Sequence, residues 1–369
     1  MAGQLRLLLF VSFLTCVWVV AAPQVAAGVS QQERTAHSQE LADSFRVEST
    51  GAQLPTPPPQ AQRQGWRNLM IAETDFIKVG ASTLEVDFAE GSLDLPKAAV
   101  LNHVAAAASA VATYYGRFPV ARARVLIIPV AGRHGILQGT TWGDMRGFPG
   151  FTRIRIGEHT TAADLADDWM MTHELVHMAF PSLPDDQHWM EEGLATYVEP
   201  IARVMTGELT AKKIWSDMVR DMHQGEPGPG DEGLDHTHTW GRTYWGGGMF
   251  CLIADVQIRR ETKNRKGLQD ALRAIVEQGG TIDHDWPIEK ALEIGDKATG
   301  TNVLMDQYAK WKDAPVTVDL PKLWNELGIE PGPDGIEFEK VAPLAKVHEA
   351  ITKPTGNPVA ARVVQPQDR

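Results

Sequence analysis

His173-Glu174-Leu175-Val176-His177 is the stretch on which the reading of this chain turns. On a helix the two histidines lie one turn apart on one face. Both imidazoles then reach a single Zn²⁺, and Glu174 falls where a base would take a proton from a water bound there. The arrangement points to hydrolysis of a polar bond, most often a peptide bond. The bland alternative is two unrelated histidines on one helix face. Met170, Met171, Leu175, Val176, Met178 and Ala179 surround these with apolar side chains. Imidazoles in such a helix are costly to bury unpartnered, and a metal supplies the partner.

Zinc wants a third protein ligand and one open position. The segment Trp189-Met190-Glu191-Glu192-Gly193-Leu194-Ala195-Thr196-Tyr197 offers it. Glu191 and Glu192 are adjacent and point in different directions on a helix, so one of them ligates. The plainer role for both is a favourable charge at a helix N-terminus. Thr196 and Glu199, one to two turns beyond, are placed to orient the ligands from behind.

"HELVH" followed by "WMEEGLATYVE" resembles the gluzincin metallopeptidases, whose pattern is H-E-x-x-H and then W-x-x-E-G-[FL]-A-x-Y. The resemblance implies His173, His177 and Glu192 as ligands of one Zn²⁺ per chain, and Glu174 as general base. Glu191 stands where aminopeptidase N relatives usually have asparagine. Met178–Glu191 is a few residues shorter than the connection in those relatives. The block from Thr243 to Ile275 is similar to the glycyl aminopeptidase branch, at Tyr244, Gly247, Asp255, Ile258, Arg259, Leu268 and Leu272. By that match Tyr244 stabilises the oxyanion of the tetrahedral intermediate, with Tyr197 as a rival. "VDLPKLWNELGIE", from Val318, resembles the end of the same catalytic domain. The fold implied is an α+β, thermolysin-like zincin: a small mixed sheet with an edge strand over the active-site helix, then a mainly helical subdomain.

Aminopeptidase N relatives also carry a G-x-M-E-N strand that grips the substrate's free amine. No such motif precedes His173; the corresponding region offers Asp144, so exopeptidase chemistry does not carry over from the resemblance. Thr152–Gly157 alternates like a half-buried strand and is the expected edge strand for an extended peptide. Its Arg153 and Arg155 are possible substrate contacts. So are His236 and His238, in the turn-rich loop Gly225–Thr239, which otherwise reads as a solvated hinge. Gly246-Gly247-Gly248 has no phosphate-loop context; it suits close approach of backbone to the active-site helix or to substrate.

Arg6 and the apolar run Leu7–Val20, followed by Ala22 and Ala27 as small-residue cleavage choices, read as a signal peptide over 1–27. Retention as an anchor is the alternative. The expected address is therefore bacterial periplasm or secretion. Cleavage leaves Cys251 as the one cysteine, which excludes an intrachain disulfide framework. The formal charge moves from -12 to -13, since the segment removed holds Arg6 and no acid. Such an acidic chain gives no support to nucleic-acid or anionic-membrane binding. Residues 28–66, rich in Gln, Ser, Ala and Pro, read as a flexible linker. An α/β part is expected over 67–160, a helical part over 161–345 and a loose tail over 346–369. The expected partner is a peptide or protein substrate, with no stable membrane insertion after cleavage; oligomeric state is open. Two other readings compete: a catalytically silent binding module on the same fold, and a zinc amidase for another amide, such as a cell-wall link.

Overall fold

The structure is a computed structural model that describes residues 69–332 and 335–364. The expected signal peptide and linker, and residues 365–369, lie outside the described residues. Strands β1 (Ile71–Val79) and β2 (Ser82–Ala89) form an antiparallel hairpin. Helix α1 (Lys97–Tyr115) then crosses over to β3 (Arg122–Val130), which runs parallel to β2. Gly116 ends α1 in the left-handed conformation, φ +82, the glycine stop expected after Tyr115. Alanines keep this helix slim, and Val100, Leu101, Val104 and Val111 are buried along it. Each such aliphatic side chain contributes about 1.5–3 kcal/mol by leaving water.

β4 (Ile136–Met145) and β5 (Phe148–Gly157) follow; β6 (Ile329–Gly332) and β7 (Gly335–Phe338) make a separate hairpin, and with β8 (Ala361–Val364) the main sheet has the order β4-β5-β3-β2-β1-β8. Here the structure corrects the sequence. The edge strand is β4, in a glycine-containing stretch, and not Thr152–Gly157. β5, which carries Thr152–Gly157, lies inside the sheet, parallel to β3 on one side and antiparallel to β4 on the other. The cause is its own composition: Thr152, Ile154 and Ile156 are buried on one face, and Phe151 on the other joins Leu126 and Ala89. With that core face buried and a strand paired on each edge, β5 takes an interior place in the sheet.

The C-terminal segment is a second correction. Residues 346–369 were read as a loose tail, yet helix Ala345–Ile351 is ordered and β8 (Ala361–Val364) pairs antiparallel with β1. The polar, proline-marked sequence conceals a four-residue strand because the partner that satisfies its backbone lies almost 300 residues upstream.

The rest of the described chain is mainly helical. Thr161 caps α2 (Ala162–Asp167) in a reciprocal box with Asp164. The chain breaks at Asp168 and restarts as α3 (Met170–Val176), followed by one tight turn, His177–Ala179. α4 (His188–Met205) and α5 (Ala211–Asp221) come next. A wide helical turn over Gly241–Gly246 leads into α6 (Gly247–Glu261). Among the described residues, no helix is long and apolar enough to cross a membrane.

α4 and α6 cross backbone to backbone at Gly193 and Gly247. A Cβ on Gly193 would overlap the Gly247 main chain, and one on Gly247 would overlap the Trp189 carbonyl. The close approach expected of the triple glycine is thus made to the helix that carries Glu192. Gly193→Ala should cost about 1–3 kcal/mol, because neither backbone can yield without moving its helix. Urea unfolding reads the loss as a lower midpoint at unchanged slope; an unchanged midpoint contradicts the tight crossing.

Candidate metal centre

The site begins with the restart of α3. The Asp168 carboxylate accepts hydrogen bonds from the main-chain N–H groups of Met170 (3.0 Å) and Met171 (3.1 Å), satisfying donors that a helix start leaves open. The same carboxylate lies 2.8 Å from His103 Nε2 on α1, which ties the catalytic helix to the buried one. One turn on, His173 and Glu174 are buried and His177 half-buried, with the two imidazole centroids 4.9 Å apart. The spacing does what the sequence promised: both rings leave the same face.

α4 delivers the third group. Glu192 Oε2 lies 3.0 Å from His173 Nε2 and 3.6 Å from His177 Nε2. Donors about 2.0–2.2 Å from a tetrahedral zinc stand roughly 3.3 Å apart, so this convergence fits the ion. The three side chains are also the metal-capable cluster found among the described residues. Burial works against the charge of Glu192, but His177 and the hydrogen bonds from His173, His177 and His188 hold its carboxyl well below the usual range. A carboxylate held ionised beside two imidazoles is the donor set zinc prefers.

The adjacent acids divide the work. Glu191 turns away and takes the Leu183 N–H (3.3 Å) and His188 Nδ1 (2.8 Å). His188 Nε2 lies 3.1 Å from Glu192 Oε1. Its imidazole therefore brackets both glutamates and steadies the ligand. Burial opposes its charge, yet the bonds to Glu191 and Glu192 push its pKa up to about 10. His173 is steadied differently. Its Nδ1 is buried with no hydrogen-bond partner among the described residues, so aromatic neighbours set the ring: Trp169 edge-on at 5.1 Å and Tyr244 stacked at 6.1 Å.

Glu174 is backed by the edge strand. The Thr141 hydroxyl lies 2.7 Å from Glu174 Oε2 and 2.9 Å from its carbonyl oxygen. Gly139, also on β4, leaves the space the side chain occupies: a Cβ there would lie 2.7 Å from Glu174 Cδ. Burial raises the Glu174 pKa, with His177, His173 and Thr141 pulling the other way. A carboxyl shifted upward in this way is suited to accept and return a proton near neutrality. Gly139 and Thr141 were missed in sequence. "GTTWG" shows no alternation, and its importance appears only when β4 is laid against α3.

Tyr244 stands on the wide turn before α6, beside the ligands. Burial and the charges of Glu192 and Glu174 raise its pKa well above the ordinary value, as does a hydrogen bond to Glu192. It is therefore a protonated donor. The rival Tyr197 is spent elsewhere, its hydroxyl 2.9 Å from Asp255 Oδ2 in the core. Tyr244→Phe should lower kcat by roughly 10²–10³-fold, the usual cost of one oxyanion donor, with zinc content unchanged. Full kcat in that variant excludes the role.

Other candidates fall outside. Arg153 and Arg155 project from the sheet face opposite α3: Arg153 Nη2 lies 3.3 Å from Thr140 Oγ1 and its guanidinium 5.3 Å from the Trp142 ring, while Arg155 is exposed. His236 pairs with Asp313 at 2.9 Å and His238 is exposed, and neither belongs to the metal-capable cluster. The loop that carries them is anchored, because Asp235 accepts from Trp189 Nε1 (2.7 Å) and the Tyr308 hydroxyl (2.8 Å). Glu199 does not reach the ligands; it pairs with Arg203 at 2.9 Å, and burial pushes its pKa up to about 7 against the pull of that guanidinium. Thr196 is half-buried, its methyl near Gly248 at the helix crossing. Cys251 is a free, buried thiol.

No family model matches the chain, and no curated protein matches it. Solved structures do. An aminopeptidase N family protein from Idiomarina loihiensis superposes with a TM-score of 0.52 at 11% identity, over 70% of this chain and 49% of that one. An M1 zinc metallopeptidase from Deinococcus radiodurans gives 0.44 at 14% identity, over 68% and 53%. The chain thus spans about half the length of the structures it matches. At such identities the likeness speaks for the fold. The chain shares the fold of that aminopeptidase N family protein, a mixed sheet beside the H-E-x-x-H helix followed by a largely helical part, and brings His173, His177 and Glu192 together on it as a cluster able to hold a metal ion.

Proposed function

We propose that this chain is a zinc-dependent peptidase. The observation that carries the reading is the convergence of His173, His177 and Glu192 beside a buried Glu174 that β4 holds in place. His173 and His177, as neutral imidazoles, and Glu192 would hold one Zn²⁺, which supplies an acidified water and a Lewis acid. Glu174 takes the proton from the attacking water at one carboxylate oxygen and later delivers it to the leaving amine. Thr141 keeps that carboxylate turned toward the ligands throughout. The Tyr244 hydroxyl donates to the oxygen on which negative charge develops. The exposed edge of β4 offers main-chain groups to an extended peptide, a mode of recognition that gives affinity without demanding one sequence. The apolar run Leu7–Val20 supports export of the protein, and N-terminal sequencing of the mature form tests it.

The test of the activity is cleavage of an unstructured peptide library, read by mass spectrometry, before and after chelation and zinc restoration. Cuts that vanish with chelator and return with zinc are expected. A zinc-loaded protein that cuts nothing in the library contradicts the reading in favour of a silent binding module.

A further inference from the structure

Two tryptophans among the described residues are exposed, Trp169 at 46% and Trp240 at 48%, and both stand at the metal centre. Each lies four residues before a residue of the site: Trp169 before His173 and Trp240 before Tyr244. Helical geometry then places each indole over the turn next to its partner. Trp169 meets the His173 ring edge-on at 5.1 Å. Trp240 stacks on Tyr244 at 5.7 Å and 25°, and Tyr244 stacks on His173 at 6.1 Å and 19°. The four rings form one chain of contacts, Trp169–His173–Tyr244–Trp240, in which each exposed indole touches one working group.

Indoles are among the side chains that gain most from burial, and every other described tryptophan is at least half-buried. Two left in water at either end of one site are costly for the free protein unless something covers them. Tryptophan is enriched where binding energy concentrates, because it offers a large rigid face at little entropic cost.

We propose that Trp169 and Trp240 are specificity-determining residues, forming two stacking walls on either side of the scissile bond. They select peptides carrying large apolar or aromatic side chains next to the bond that is cut. This rests on the peptidase reading and deepens it by naming the substrate class. The walls act on binding, so their loss raises KM more than it lowers kcat.

The experiment uses the zinc-loaded Glu174→Gln protein, in which peptides bind without being cut. Titration calorimetry compares unblocked hexapeptides, all alanine or with phenylalanine at one position in turn. At least one phenylalanine peptide should bind ten-fold or more tightly than the alanine peptide. Adding Trp169→Ala or Trp240→Ala should reduce that preference by about five-fold each, read per zinc-loaded chain, and Trp→Phe should restore most of it. No preference for phenylalanine, or one that survives both alanine substitutions in zinc-loaded protein, overturns the proposal. Wild-type cleavage of the same peptides separates the two ideas. Preference without cleavage fails the peptidase reading alone; cleavage without preference fails the walls alone.

Discussion

Glu174→Gln should abolish peptide hydrolysis while leaving the zinc in place. The amide keeps the shape of the carboxylate, and its oxygen still accepts from Thr141, so the packing between α3 and β4 is preserved. It cannot take up a proton. General-base catalysis contributes roughly 10²–10⁴-fold, and here the same group also returns the proton to the leaving amine, so a loss at the upper end is expected. The side chain is 7% exposed, which leaves little room for bulk water to substitute as base. Parallel measurements of kcat/KM and zinc stoichiometry give the answer: one zinc per chain with activity at background. Activity within ten-fold of wild type would remove Glu174 from the mechanism.

Loss of a ligand should be worse, because it takes the fold's metal as well as its chemistry. In His177→Ala one of the two imidazoles facing Glu192 Oε2 is gone. Zinc is expected to fall below a tenth of stoichiometric and hydrolysis to background. Stability follows by mass action. An ion present at about 1,000 times its Kd stabilises the folded chain by about 4 kcal/mol, which for a domain of this size moves Tm by on the order of 10 °C. Chelation of the wild-type protein should therefore lower Tm by a similar amount, while the variant, already without metal, shows no further drop. A Tm that chelator lowers equally in both proteins would place the stabilising metal somewhere else.

What the sequence showed and hid has a physical pattern. The ligands were legible because a helix fixes side-chain direction by spacing alone: four residues from His173 to His177, and a second helix announced by Trp189-Met190-Glu191-Glu192-Gly193. α1 was legible too, from alanine content and a glycine stop. β4 was not. "ILQGTTWGDM" has neither alternation nor a continuous apolar run, and it is a strand because β5 pairs with it and α3 packs against it. Without β4 in view, the edge position falls to Thr152–Gly157, and the side taken by Arg153 and Arg155 stays open. β8 was hidden for the same reason, since four residues mean little without β1. The partition between Glu191 and Glu192, left open by a residue-level reading, is made in space: the Leu183 N–H holds Glu191, while Glu192 Oε2 stands against both imidazoles.

The most direct test of the account is the anomalous diffraction of crystals of the purified protein, measured on both sides of the zinc absorption edge. One peak is expected between His173 Nε2, His177 Nε2 and the Glu192 carboxylate, about 2 Å from each donor, present above the edge and absent below it. No peak at that position in protein never exposed to chelator, or one held by other residues, would contradict the metal centre on which the proposed function stands.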